Sequence, residues 1–327
     1  MNMIQCIDTM NILFFTHPFP NYVPDLLLHG LRKIFGPSVV DYPRKDCIYE
    51  GILEGAVQHG PHRFSLFTQD NGEIDREDIR RKIHTGHFRY IFCDIRAIDS
   101  LKRQVLQWPS GLVLIDGEDI PVRIPPGPYV VCCRETDGSD FSIPLPMALP
   151  EELFRWISSF DEAQKIYSVG FLGVASHGER KAFVEALAGR YPDALLSTTV
   201  IPSPDNPTPT GRLGRDDYYS KMQQCRVVLS LRGLGYDTLR FWENAACKAV
   251  HVAQSMPLYI PGDFVHGEHL FRFSSISQLV RIIDNILEGR MGSDGTVQRA
   301  RHHLLSHHLT TKRAEYLLQK LNTIFGT

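Results

Sequence analysis

The stretch "LSLRGLGYDTLRFWENAACKAVHV", Leu229 to Val252, decides the reading of this chain. An apolar run ends in a turn holding Gly233 and Gly235, and an amphipathic segment opens directly after it. A buried strand, a glycine turn and a helix form the repeating unit of parallel α/β sheets. The two glycines let a backbone approach a ligand closely and turn amide N–H groups toward phosphate oxygens. The helix start adds partial positive charge, and Asp237 or Thr238 is placed to cap it through a side-chain oxygen. Arg232 and Tyr236 sit in the same turn. Arg240 and Glu243, spaced i, i+3, share one face of the helix. A guanidinium there can neutralise a diphosphate, while a carboxylate can accept hydrogen bonds from both hydroxyls of a ribose. The plainer account is a structural turn carrying a surface ion pair, because isolated glycine turns are a weak signal.

A second turn of the same kind stands upstream. "VGFLGVASHGERKAF" sets Gly173 and Ser176 between a strand and a helix, where their amides would reach the distal phosphate. Its plain reading is a tight turn with Arg180 solvated. Around these turns the second half reads as strand "YSVGFLGV", helix, strand "ALLSTTV", the Pro-rich piece Ile201 to Gly214, helix "RDDYYSKMQQC", then the opening stretch. Helices close it: "SISQLVRIIDNILEG", "TVQRARHHLLSHHL" and "KRAEYLLQKLNTIF". The first half follows the same alternation, with strands in "NILFFT", "SVVDYP", "HRFSLFTQ", "RYIFCDI", "GLVLIDGED" and "YVVCCRE". The expectation is two tandem Rossmann-like, doubly wound α/β domains, residues 1–150 and 151–327, joined through "TDGSDFSIPLPMALPEE". In such sheets ligands bind beyond the carboxyl ends of the strands, so the expected site is a cleft between the domains.

The composition agrees. At 327 residues, 43% apolar and 22% charged, the chain is an ordinary globular protein of two-domain size. A net charge of −2 gives no general attraction to nucleic acid, and no segment is long and apolar enough to be an integral membrane span. Seven cysteines without a CxxC pair favour reduced thiols and a cytoplasmic location.

At the first strand end, His17 in "FFTHPFPNY" is a candidate general base toward a sugar hydroxyl. Asp116 and Glu118 of "LIDGEDI" stand at another strand end and could bind acceptor hydroxyls or serve as the base. His303 and His307 are spaced i, i+4, but no acidic residue completes a site, so no metal is assigned.

The run from Cys225 to Ile283, with its strand, glycine turn, R-x-x-E helix and later "LFRF", resembles glycosyltransferases with two Rossmann-like domains, the GT-B type. The nearest branch is the spore-maturation-protein-like, "glycosyl transferases group 1" type, with a weaker likeness to exostosin-type domains. The resemblance implies a nucleotide-diphosphate sugar as donor, no cofactor, and Glu243 on the ribose with Arg240 beside it. It implies a saccharide, lipid-linked or protein acceptor on the first domain. One departure stands out: the family's E-x7-E pattern has Gly235 and Tyr236 where its first glutamate would fall. A nucleotide-sugar epimerase or hydrolase, or a non-catalytic relative, would carry the same features. An NAD-dependent oxidoreductase is disfavoured, since no G-x-G-x-x-G follows either opening strand.

Overall fold

The computed structural model describes residues 10–49, 70, 72–174, 178–199 and 213–326. The "HRFSLFTQ" strand, Ser176 and most of the Pro-rich piece lie outside them. The chain forms two compact units: Met1–Pro150 with Leu258–Pro261 and Leu309–Thr327, and Glu151–Pro257 with Gly262–His308.

In the first unit the described strands are β1 (Ile12–Phe15), β2 (Val39–Tyr42), β3 (Tyr90–Asp94), β4 (Leu112–Asp116), β5 (Val130–Cys133) and β6 (Ile143–Pro144). They form one sheet in the order β2-β1-β3-β4-β5-β6, with every pairing parallel. β1, β3 and β4 are buried along their whole length, as strands covered on both faces must be. The helices are α1 (Tyr22–Phe35), α2 (Ile79–His84) and α3 (Ile98–Gln104). α1 carries Asp25 in its first turn and Arg32 and Lys33 in its last, matching its dipole; it stops at Gly36, whose φ of 57° is open to glycine. The segment read as a linker contributes β6 and buries Leu145, Met147 and Leu149.

The second unit holds α4 (Glu151–Ser158), β7 (Tyr167–Val174), α5 (Gly178–Arg190), β8 (Leu195–Thr199), α6 (Arg215–Gln223), β9 (Cys225–Ser230), α7 (Leu239–Ala246), β10 (Val250–Gln254), β11 (Phe271–Phe273), α8 (Ile276–Leu287) and α9 (Asp294–His307). Its strand order is β11-β10-β9-β7-β8, again parallel. α8 seats Leu279, Ile282, Ile283 and Ile286 against the sheet residues Val227, Leu229 and Val252. Counted from its own first strand, each sheet begins 2-1-3-4-5. The chain therefore reverses direction across the sheet between β1 and β3, and again between β7 and β9.

The last helix, α10 (Thr310–Phe325), differs from the sequence reading, which gives it to the second domain. It packs in the first unit on α1: a Cβ on Gly30 would fall 2.1 Å from the Thr310 carbonyl oxygen, so only glycine admits that approach. His29 Nδ1 lies 2.8 Å from Thr310 Oγ1, and Tyr90 donates to Asn322 at 2.7 Å. A helical period cannot reveal which sheet its apolar face will meet.

Candidate functional site

Parallel α/β sheets bind ligands where the strand order reverses, just past the carboxyl ends. In the second unit that point lies between β7 and β9, and arginines gather there. Arg180, at the start of α5, is 4% exposed. Its Nη1 donates to the Val174 carbonyl at 2.5 Å and its Nη2 to that of Leu231 at 2.9 Å. The expectation of a solvated Arg180 is thus corrected: one guanidinium satisfies carbonyls at the ends of two strands at once. Arg240 lies over Phe171 with its Cζ 5.0 Å from the ring centroid, and the Arg180 Cζ is 5.5 Å from the same ring. Burial, and then the neighbouring Arg240, push Arg180 down to about 10. Gly173 makes room for this crowding, since a Cβ there would fall 2.7 Å from an Arg240 guanidinium nitrogen.

The turn after β9 closes on itself. The Gly233 N–H donates to the Gly235 carbonyl at 2.8 Å. The Arg232 N–H donates to Gln254 Oε1 at 3.1 Å, while its guanidinium donates to the Tyr236 hydroxyl at 2.9 Å and sits 4.0 Å from that ring's centroid. Thr238 occupies the N-cap of α7 but makes no side-chain cap bond. Asp237 instead accepts the indole N–H of Trp242 at 2.8 Å. A fully buried tryptophan needs a partner for that N–H, and Asp237 supplies it.

Glu243 is 9% exposed. Tyr219 donates to its Oε1 at 2.6 Å and Tyr218 to its Oε2 at 3.5 Å. The Tyr218 hydroxyl also hydrogen-bonds the Arg240 guanidinium, which links the two helix residues. Burial raises the Glu243 carboxyl, against the pull of Tyr219, Arg240 and Tyr218. The i, i+3 pair is therefore an inward-facing assembly and not a solvated surface ion pair. Beneath it, Ser230 Oγ lies 2.8 Å from His251 Nε2 and accepts from Asn244 Nδ2 at 2.9 Å, tying α7 to β9 and β10. His251 Nδ1 finds no hydrogen-bond partner among the described residues, and burial, with Arg272, holds the ring down to about 3. It is a neutral imidazole.

In the first unit the same reversal point carries carboxylates. His17 follows β1, and its Nδ1 accepts the Phe19 N–H at 3.3 Å, which directs the proton of the neutral ring to Nε2. Burial, Lys45 and Arg96 lower its pKa. The His17 loop is held by the fully buried Lys45, whose ammonium donates to the His17 carbonyl at 2.5 Å and the Phe19 carbonyl at 2.6 Å and pairs with Asp25 at 3.0 Å. Asp94, at the end of β3, accepts from Asn21 Nδ2 at 3.2 Å and from the Arg96 N–H at 3.0 Å; burial pushes it up to about 6. Asp116 accepts the N–H groups of Glu118 at 3.1 Å and Val122 at 2.6 Å, and burial raises its carboxyl. Glu118 is gripped by Arg96 at 2.5 and 2.7 Å. His17, Asp116 and Glu118 thus share one end of the sheet, with Asp116 engaged by its own loop and Glu118 by Arg96 from the connection after β3.

The sequence reading missed Asp94 and Lys45. Asp94 had a signal, an aspartate ending the strand "YIFCD" as Asp116 ends "LVLID". Lys45 had none. Among the described residues, no group of three or more His, Cys, Asp or Glu is placed to hold a metal ion. No described helix is long and apolar enough to cross a membrane.

Comparison with known proteins bears on this architecture. Residues 167–319 match the family model described as "Glycosyl transferase-like". No curated protein matches the sequence. Among solved structures, HepE of Anabaena, solved in complex with UDP-glucose, superposes with a TM-score of 0.57 at 13% identity, over 96% of this chain and 100% of that one. The chain has the GT-B fold. A glycosyltransferase from Rickettsia africae gives a TM-score of 0.57 at 10% identity, covering 97% and 99% of the two chains. Sucrose-phosphate synthase from Thermosynechococcus elongatus gives 0.52 at 13%, with the same coverage. The GT-B likeness thus covers both units, while the family match is confined to the part that begins at β7.

Proposed function

We propose that this protein is a glycosyltransferase that moves a sugar from a nucleotide-diphosphate sugar to an acceptor hydroxyl without a metal ion or other cofactor. The reading rests above all on Arg180 and Arg240, two guanidiniums crowded over Phe171 at the β7–β9 reversal point. Burial first, and then the charge of Arg240, lowers Arg180, and the negative charge of a diphosphate seated there would offset both. Arg232, Gly173 and the Gly233–Thr238 turn border the same strand ends, with Ser176 adjacent in sequence. Glu243, one helical turn beyond Arg240, takes the ribose.

The chemistry follows from charge. As the bond from the anomeric carbon to the diphosphate oxygen breaks, negative charge grows on the leaving diphosphate. Fixed guanidiniums and the start of α7 stabilise that charge without reorganising, which is the work a metal ion would otherwise do. The acceptor oxygen forms the new bond to the anomeric carbon and loses its proton. We assign acceptor recognition to the first unit, through His17, Asp116 and Glu118. His17 is held neutral there, and it takes the proton at Nδ1 once that nitrogen releases the long contact from the Phe19 N–H. The R-x-x-E helix and the later "LFRF" support membership of the spore-maturation-protein-like branch. The six described cysteines, all buried and without disulfides, support a cytoplasmic location.

The test is a thermal-shift screen with UDP, GDP, dTDP and CMP on the wild type, Arg180→Ala and Glu243→Ala, followed by turnover of the matching nucleotide-sugars. One nucleoside diphosphate should stabilise the wild type, and both variants should lose most of the shift. Donor turnover without any acceptor would replace transfer by hydrolysis or epimerisation. Binding without turnover over a broad acceptor panel would point to a non-catalytic relative. A preference for NAD over every nucleoside diphosphate would end the proposal.

A further inference from the structure

Two adjacent tyrosines of α6 meet one carboxylate of α7, and their bonds are unequal. Tyr219 is 3% exposed and donates to Glu243 Oε1 at 2.6 Å, within the best range for an O–H···O bond. Tyr218 is half-buried, and its hydroxyl stands 3.5 Å from Oε2, at the outer limit of such a bond. The two rings meet edge to face with centroids 5.0 Å apart. Tyr218 has a second partner in the Arg240 guanidinium. Two O–H donors on the two oxygens of one carboxylate form the same hydrogen-bond pattern that a vicinal diol presents.

From this inequality we infer that Tyr218 is a place-holder for a pentose hydroxyl on Glu243 Oε2, while Tyr219 is the fixed support that aims the carboxylate. The inference rests on the proposed nucleotide reading and deepens it. A ribose hydroxyl arriving at Oε2 replaces the long Tyr218 contact by a full-length one, and Tyr218 keeps its bond to Arg240. Pentose capture and diphosphate capture are thereby joined through one phenol. The swap also makes Tyr218 a specificity residue. It sets how much a diol gains over a sugar that lacks one, because the hydroxyl arriving at Oε2 must first displace the Tyr218 bond already made there.

The experiment measures dissociation constants by calorimetry for UDP, GDP and their 2′,3′-dideoxy counterparts, on wild type, Tyr218→Phe and Tyr219→Phe. The dideoxy ligands keep the phosphates and lose the diol, so the ratio of dideoxy to ribo constants isolates the carboxylate. In Tyr218→Phe that ratio should rise by about fivefold, the size of one hydrogen bond gained without displacement. The same variant should melt lower than wild type without nucleotide and match it when saturated, since the exposed Oε2 lone pairs are then satisfied by the ligand. Tyr219→Phe should lower the ratio, because the carboxylate loses its support. An unchanged or smaller ratio in Tyr218→Phe overturns the place-holder role while leaving nucleotide binding intact. Equal wild-type affinity for the ribo and dideoxy ligands removes the pentose from Glu243 and this inference with it, but spares the diphosphate seat. If neither UDP nor GDP binds the wild type, the nucleotide reading fails first and the place-holder falls with it.

Discussion

The two units share a strand order and differ in the charge they bring to it. Each sheet begins 2-1-3-4-5, so each has one reversal point with the same backbone geometry. At the first stand Asp94 and Asp116, buried carboxyls raised by burial, with the Arg96–Glu118 pair beside them. At the second stand Arg180, Arg232 and Arg240 around Phe171 and Tyr236. The backbone thus supplies a place to bind and leaves the ligand's chemistry to the side chains, as expected where fold and function are separable. A carboxyl-lined end suits neutral hydroxyl donors and repels anions. A guanidinium-lined end does the reverse. That contrast is what a transferase with an anionic donor and a hydroxyl acceptor needs, and it can be broken by experiment.

The largest expected effect is on acid stability, and its sign differs between His251 of the second unit and Asp94 of the first. In the second unit His251 is held down to about 3 by burial and by Arg272. The unfolded chain takes up this proton near pH 6.5, which the folded unit refuses until about pH 3. Stability is therefore complete above 6.5 and falls with the pH, by about 4 kcal/mol at pH 3. In the first unit Asp94 is pushed up to about 6, so the folded unit keeps a proton that the unfolded chain releases near 3.8. Its contribution is fullest below 3.8 and is lost as the pH rises through 6, about 3 kcal/mol in total. Urea unfolding at pH 7, 5.5 and 4, with amide hydrogen exchange assigning losses to each unit, should show the second unit weakening while the first holds or gains. His251→Gln should flatten the first slope. Asp94→Asn should flatten the second and stabilise the first unit near pH 7.5. Parallel slopes in the two units would refute the contrast.

Much of this was legible in the sequence, for physical reasons that also mark where legibility stops. "ILFF", "YIFCD" and "LVLID" read as buried strands because both faces of a parallel sheet are covered, and each folds so. The glycine turn before Arg240 located the second reversal point, because a strand-to-helix turn there is local in the chain. Partners distant in the chain were not legible. Tyr218 and Tyr219 lie more than twenty residues before the Glu243 they meet, and nothing in "RDDYYSKM" says which face of α6 will turn inward. Asp237 reads as a helix cap because such residues often are, and nothing in the sequence signals that its Oδ1 also receives the Trp242 indole N–H in the core. Arg180 looked solvated because a charge usually is, and only the convergence of two strand ends makes its burial tolerable.

A middle-sized effect sharpens the second unit's side of the comparison. Gly173→Ala sets a methyl 2.7 Å from an Arg240 guanidinium nitrogen, closer than real Cβ contacts come. The guanidinium must shift from its place over Phe171, which disturbs the pair it forms with Arg180. We expect nucleoside-diphosphate affinity to fall by about 10- to 30-fold, the cost of misplacing one charge-assisted contact. Thermal stability should change less, since the side chain that moves is only half-buried. Gly36→Ala, at a helix end in the first unit, serves as the contrast: it should cost stability through its φ of 57° and leave nucleotide affinity unchanged. Calorimetry with UDP and GDP checks both.

The smallest expected effect tests whether the buried polar cluster under α7 carries the acid response. Ser230→Ala deletes the hydroxyl that receives Asn244 Nδ2 at 2.9 Å and faces His251 Nε2 at 2.8 Å. In the tautomer whose Nε2 accepts the serine proton, forming the imidazolium costs that bond as well. Removing the serine should cost about 1 kcal/mol at pH 7, near the net worth of one buried hydrogen bond. It should also make the acid slope of the second unit shallower, because protonation at Nε2 no longer displaces a hydroxyl donor. The first unit's slope should not move. If Ser230→Ala loses stability equally at pH 7 and pH 4, then His251 does not titrate through this contact, and desolvation alone sets its pKa.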